Sequence, residues 1–450
     1  MSTTSPASAR FHAELAWLGG DQPATDVLIE TAAGVITLVQ PDVDAPPDAL
    51  WLQGLTIPGL ANTHSHVFHR ALRGRTQSGV ADFWAWRKAM YAVAERLDPE
   101  SLYALAHATY AEMALSGITS VGEFHYLHHQ ADGTPYENPD ALGDVVVRAA
   151  TDAGIRITLL DVCYLQADVG GAPLEGVQRR FGDASSEAWG ARVEQHSDTP
   201  LSKTGAAIHS VRAVPRSAIG PVARFARERR VPLHAHVSEQ PAENVACLDV
   251  YGVTPTQLLD SEGALGPRTT AVHATHLTDG DITLLGGSHT SISMCCTTER
   301  DLADGVGPAI RLTRAGSPLT VGSDGHAVID LWEEARAIEL DERLVSGRRG
   351  HLSVQELLTT LTASGAASIG WDAGRITPGA LADFVTVDLD TPRMAGARSG
   401  DPLAHAVFAA TASDVTTVVV GGRVVVSEGR HLTLPEVGRA LDAAIGAVTS

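Results

Sequence analysis

A chain of 450 residues suggests up to three units at about 150 residues per domain, although a single α/β barrel often exceeds about 250. Apolar residues make up 44% and charged residues 19%, with 43 Gly and 23 Pro, which excludes both a disordered chain and a collagen-like one. Lys plus Arg number 33 against 53 acidic residues, and the resulting charge of −20 repels phosphate backbones, so no nucleic-acid partner is expected.

The opening MSTTSPASARFHAELAW lacks the basic start and apolar run of a secretory signal, and no stretch reaches about 18 uninterrupted apolar residues. A cytoplasmic protein without membrane contact is the expectation. Three runs, FHAELAWLGG, DVLIET and GVITLVQ, are rich in strand formers and predict a small antiparallel sheet. From Leu55 onward short apolar strands alternate with amphipathic segments, the texture of repeated βα units. The strand candidates are LANTHSH, ITSVGEF, IRITLLDV, GAAIHSV, PLHAHVSE, TAVHATH, TSISMCC and PLTVGSDG. Helical patterns lie between them, such as PESLYALAHATYAEMALSG, which starts on Pro and ends before Gly, and SAIGPVARFARERR. Eight alternations predict a (β/α)8 TIM barrel rather than an open sheet. The stretch from Ala167 to Pro200, rich in Gly, Asp and Ser, reads as an irregular connection and a candidate lid or insertion. After Gly374 short strands return as DFVTVD, TTVVVGG and RVVVSEG. Both termini are therefore expected to build one small β-sandwich domain, residues 1–57 and 374–450, beside the barrel over residues 58–373.

Nineteen histidines in 450 residues yield about one His-x-His pair by chance, and the chain has two. His64 and His66 share one face at the C-terminal end of the first barrel strand, where barrel enzymes keep their sites; the alternative is a hydrogen-bonded core pair. In PLHAHVSEQ, His236 precedes Glu239 on the loop leaving the fifth strand, while His234 lies deeper and reads as a packing residue. The sixth strand ends in His273 and the eighth in Asp324, with His276 left as a surface or capping residue. His64, His66, His236 and Asp324 form a nitrogen-rich donor set suited to one Zn2+, with Fe2+ or Mn2+ as substitutes. Glu239 and His273 then have room to move protons or polarise a substrate, and Asp324 can assist them. No strand end carries a bridging lysine, since Lys203 precedes the fourth strand and Lys88 lies elsewhere, so one metal is favoured over a bridged pair. The four cysteines, Cys163, Cys247, Cys295 and Cys296, have no Cys-x-x-Cys spacing, so neither a disulfide scaffold nor a thiolate zinc site is indicated, and the adjacent Cys295 and Cys296 read as packing residues.

The order PGLANTHSH, HAHVSE, VHATH, GSDG and GRITPGALADFVTVD resembles the mononuclear deaminases of the amidohydrolase superfamily over nearly the whole chain. More narrowly, HSHVFHRALRG, DFWAWRKAMY, EFHYLHH, IHSVRAVP, HVSEQ and CCTTERDLADG resemble the formimidoylglutamate deiminases of histidine degradation. That resemblance implies conversion of N-formimino-L-glutamate to N-formyl-L-glutamate and ammonia, and a homodimer. It also implies metal binding by His64, His66, His236 and Asp324, proton transfer by Glu239 and His273, and substrate recognition by Arg87, Tyr126, His209 and Arg212. Guanidinium groups suit a small dicarboxylic substrate because they pair with carboxylates through planar, charge-assisted bonds. His69 stands where the family has a glutamine expected to touch the substrate, and Cys296, Asp301 and Ala303 replace its Pro, Asn and Gly.

Other readings remain open. Arg87 can close a helix face beside Trp84 and Trp86, Tyr126 can belong to an exposed loop with His128 and His129, and Asp161 can orient a neighbour. A deaminase of a guanine-like heterocycle or of another formimino amino acid uses the same metal set. A barrel kept as a scaffold predicts decayed ligands, and all four are present.

Overall fold

The computed structural model describes residues 8–77 and 83–449. Asp82 of DFWAWRKAMY, and the first seven residues of the segment read above for a leader, lie outside the described residues. The chain opens with β1 (Ala9–Ala16), β2 (Ala24–Ala32), β3 (Val35–Gln40) and β4 (Leu50–Pro58). The sheet is mixed rather than antiparallel, because β4, a strand the sequence reading did not place, runs parallel to β1. The change of texture read at Leu55 falls inside that strand.

The barrel follows as β5 (Leu60–Ser65), β6 (Ile118–His125), β7 (Arg156–Cys163), β8 (Ser202–Ile208), β9 (Leu233–Val237), β10 (Thr269–His273), β11 (Ser291–Met294) and β12 (Leu319–Val321). All eight correspond to the strands expected from the sequence, and each pairs in parallel with the next. Every residue of β5, β6, β7 and β9 is buried, as strands covered on both faces must be. The cylinder closes where Asp324 N–H donates to the His64 carbonyl at 3.0 Å and His66 N–H donates to the Asp324 carbonyl at 3.3 Å. Gly322 permits this approach, since a Cβ there would lie 2.6 Å from the Cβ of His64. Helix Pro99–Leu115 starts in a capping box between Asp98 and Ser101, with Pro at its first turn.

The last strands, β13 (Phe384–Val387), β14 (Val415–Val420), β15 (Arg423–Ser427) and β16 (Arg430–His431), join the first four in one sheet of order β16-β15-β14-β13-β4-β1-β2-β3. The sheet curls until Val35, the first residue of β3, bridges Leu381, enclosing Phe11, Ile29, Ile36, Leu52, Phe384 and Val419. Arg156 of β7 fastens it to the barrel through Asp383, with Nε to Oδ2 at 2.7 Å and Nη2 to Oδ1 at 3.0 Å, both side chains buried.

Three segments differ from expectation. Ala167–Pro200 is not irregular throughout: it holds a 3-10 turn, Gly176–Arg180, and a helix, Ser186–Val193. Buried Arg180 pins it by donating to the carbonyls of Ala94, Leu97 and His129. The region after Gly374 is not wholly strands either, for it contains helices Pro402–Ala409 and Val437–Thr449. Val437, Leu441, Ala444 and Val448 follow helical spacing and are buried in the core shared with helix Pro99–Leu115. His128 and His129 are buried rather than on an exposed loop, and their Nε2 atoms meet the carbonyls of Val162 and Gly182. Among the described residues no helix is long and apolar enough to cross a membrane.

Candidate active site

Strands β5, β9 and β12 end at one rim and bring four donors together, and β10 ends beside them in His273. His64 Nε2 lies 3.2 Å from His66 Nε2 and 3.1 Å from His236 Nε2, while Asp324 Oδ1 is 3.4 Å from Nε2 of both His64 and His66. The opposite ring nitrogens of His66 and His236 donate to the carbonyls of Phe124 at 3.0 Å and His209 at 2.9 Å, leaving lone pairs on Nε2. Burial holds these rings neutral: with the neighbouring His64 it lowers His66 to about 3, and it pushes His64 and His236 well below the usual imidazole range. Converging lone pairs repel unless a cation separates them. A tetrahedral ion with metal–nitrogen bonds of about 2.0–2.1 Å sets its ligands about 3.3 Å apart, so the donor spacing fits one divalent cation. Lys203 instead donates to the Gly370 carbonyl and lies over the Trp371 ring, and Lys88 is exposed, so neither lysine joins the donors.

The rim is built on unfavourable backbone. Ser238, His273 and Asp324 have φ of 51°, 67° and 40°, in the left-handed region that side chains with a Cβ avoid. Such bends at strand ends aim consecutive side chains into the barrel mouth, and the neighbouring strands hold them, as when Ala274 N–H donates to the Val237 carbonyl at 3.1 Å.

Around the donors, Glu239 Oε1 stands 3.8 Å from His273 Nε2, which is 3.7 Å from Asp324 Oδ2. Burial alone would depress His273, but Glu239, Glu299 and Asp324 outweigh it and push the ring up to about 10. Arg212 reaches Glu239 Oε2 through Nη2 at 3.3 Å and Glu243 Oε2 through Nε at 3.0 Å. Tyr126 is buried and its hydroxyl is 2.8 Å from His69 Nε2. Arg87 Nε donates to the Tyr91 hydroxyl at 2.7 Å, and the His209 ring packs on Tyr164. One cleft is lined by His66, His69, Arg87, Tyr126, His209, Arg212, His236, Glu239, His273 and Asp324, with His64 fully buried behind it. The expected residues thus converge. His234 bonds the Ser368 carbonyl away from the cleft, and His276 the Asp304 carbonyl.

Several participants had no role in the sequence reading. Glu299, inside CCTTERDLADG, lies with Oε1 3.3 Å from His273 Nδ1 and turns the other nitrogen toward Asp324 and Glu239. Glu243 stands four residues after Glu239, in the first turn of helix Pro241–Tyr251, and that proximity is the only sequence signal of its contact with Arg212. Trp86, Tyr91, Tyr164 and Phe181 wall the cleft, and nothing local marks Phe181 for it.

Comparison with known proteins agrees with this geometry. The chain is 36% identical over 423 residues to formimidoylglutamate deiminase of Pseudomonas aeruginosa, covering 91% of this chain and 92% of the relative. It is 32% identical over 375 residues to 8-oxoguanine deaminase of the same organism, covering 82% and 81%. A crystal structure of an amidohydrolase from Brucella melitensis superposes with a TM-score of 0.89 at 32% identity, covering 98% of this chain and all of that one. A family model described as the amidohydrolase family matches residues 55–425, and with its barrel, its donor set and these relatives the chain belongs to that family, as a metal-dependent hydrolase of C–N bonds.

Proposed function

We propose that this amidohydrolase is a zinc enzyme that deaminates N-formimino-L-glutamate to N-formyl-L-glutamate and ammonia. The observation that carries the reading is one cleft holding a three-imidazole, one-carboxylate donor set together with two arginines suited to an acidic substrate. The 36% identity to a formimidoylglutamate deiminase supports it. Zinc held by His64, His66, His236 and Asp324 would supply a Lewis acid and a water whose pKa falls toward about 7.

The chain's own residues do the rest. Arg87 and Arg212 anchor the substrate carboxylates, and His209, Tyr126 and His69 orient the formimino group. Glu239 takes a proton from the attacking water and delivers it to the departing nitrogen, Asp324 assists removal of the second water proton, which also ends on that nitrogen, and His273 stabilises the charge that develops on oxygen. A carbon–oxygen bond forms, the carbon–nitrogen bond to ammonia breaks, and a formyl amide remains. Arg212 is already faced by Glu239 and Glu243, so a bound carboxylate would join an existing ion pair rather than meet a bare cation.

A second reading, deamination of a guanine-like base, draws on the 8-oxoguanine deaminase relative and on the aromatic walls Tyr126, Tyr164 and Phe181, which suit a flat ring. Ammonia release from formiminoglutamate, formiminoaspartate, formiminoglycine and guanine, measured beside elemental analysis of the same preparation, separates the readings. Preference for formiminoglutamate with one zinc per chain is expected. Preference for guanine, or full activity in a metal-free preparation, would overturn the proposal.

A further inference from the structure

Behind the metal-donor pair a row of buried polar groups crosses the seam where the barrel closes. Asn62 Nδ2 donates to Ser323 Oγ at 2.7 Å, and Asn62 Oδ1 accepts from Ser323 N–H at 2.9 Å. Ser323 Oγ is 3.0 Å from His326 Nδ1, His326 Nε2 is 3.1 Å from Ser65 Oγ, and Ser65 Oγ donates to Glu123 Oε2 at 2.6 Å. The other oxygen of Glu123 accepts Val67 N–H at 2.7 Å. All six side chains or amides are buried.

Glu123 accepts at both oxygens, Oε2 from the Ser65 hydroxyl and Oε1 from Val67 N–H. Ser65 then accepts the His326 Nε2 proton, and His326 Nδ1 accepts the proton of Ser323. The bonds therefore run in one direction, from β5 through the β12 loop and back to β6. Ser65 sits between His64 and His66, Val67 follows His66, and Ser323 and His326 flank Asp324, itself in the left-handed region together with His326 at φ 57°. Arg73 Nε anchors the far side by donating to the His326 carbonyl at 2.8 Å.

We infer that the Asn62–Ser323–His326–Ser65–Glu123 chain is the positioning device that holds His64 and His66 against Asp324 at metal-binding separation. It rests on the metal-site part of the proposed function and not on the substrate. None of its members faces the cleft, so they act through the ligands they position. Replacing Glu123 by Gln presents an NH2 group to one of two donors, forces the row to reverse, and leaves one hydrogen without an acceptor. Ser323→Ala interrupts the row with the smallest change in volume.

The test strips the full chain of metal and measures Zn2+ affinity by competition with a chelator, alongside the melting temperature of the metal-free protein. Loss of partners behind metal ligands weakens affinity about 10- to 100-fold, and that is the expected change for Glu123→Gln and Ser323→Ala. Thr158→Val, which removes a buried bond to the Ile369 carbonyl at the other end of the barrel, serves as a stability control and should change zinc affinity less than about threefold. Zinc binding within about twofold of wild type in both row variants, or equal weakening in Thr158→Val, would overturn the inference. A wild-type chain that binds no zinc would refute the metal-site reading itself, and the inference with it.

Discussion

Replacing Glu239 by Gln tests the proposed chemistry with the least disturbance to the site. The carboxylate is buried beside Arg212, whose Nη2 is 3.3 Å from Oε2, and its other oxygen is 3.8 Å from His273 Nε2. A glutamine of the same shape keeps an oxygen for Arg212 but cannot carry a proton between water and the leaving nitrogen. General acid–base groups contribute about 10²–10⁴-fold, so kcat should fall at least about 100-fold, or about 2.7 kcal/mol of transition-state stabilisation. The metal donors stay in place, so zinc content should remain at wild-type level and KM should move little. Steady-state ammonia release, with metal analysis of the same sample, gives both numbers. Undiminished kcat would remove Glu239 from the scheme, and lost zinc would show that it supports the metal instead.

Four further outcomes follow from the same contacts. Arg212→Ala should lower kcat/KM for formiminoglutamate about 10- to 150-fold, the range for a charge-assisted bond, with Arg212→Lys recovering only part; unchanged kinetics in a profile of both variants would place the carboxylate elsewhere. Chelation should abolish turnover and added zinc should restore it, whereas activity surviving exhaustive chelation would contradict the donor-set reading. Asp383→Ala strands the buried guanidinium of Arg156 and should destabilise the chain by about 3–5 kcal/mol, visible as a lowered urea midpoint. Burial alone would raise the Asp161 carboxyl, but Arg192, His128 and His196 hold it well below its usual range. Its folded pKa is depressed, so its stabilisation is complete above about pH 4 and fades as pH falls further; wild type and Asp161→Asn should therefore converge in urea titrations only under strong acid.

The donor set was legible because local rules turn sequence position into place. A strand's two-residue period sets His64 and His66 on one face, and a parallel barrel puts the ends of β5, β9, β10 and β12 at one mouth. Eight apolar strand runs alternating with helical segments are also a local signal, and all eight stood where they were read. What a single chain cannot announce is which distant groups meet. Glu299 found His273, Glu243 found Arg212, and Glu123 found Ser65 and Val67 only because folding brought separate elements into hydrogen-bond range. The same holds for Arg180 and Arg192, polar residues in a segment that composition marked as irregular: backbone carbonyls from distant elements made Arg180 part of the core, and ion pairs did so for Arg192. Strand β4 shows the limit from the other side: its residues are apolar enough for a strand, but its seat between β1 and β13, joining the two ends of the chain in one sheet, depends on backbone partners more than 300 positions away. Patterning along the chain thus sets which face each side chain presents, while long-range pairing sets what that face touches.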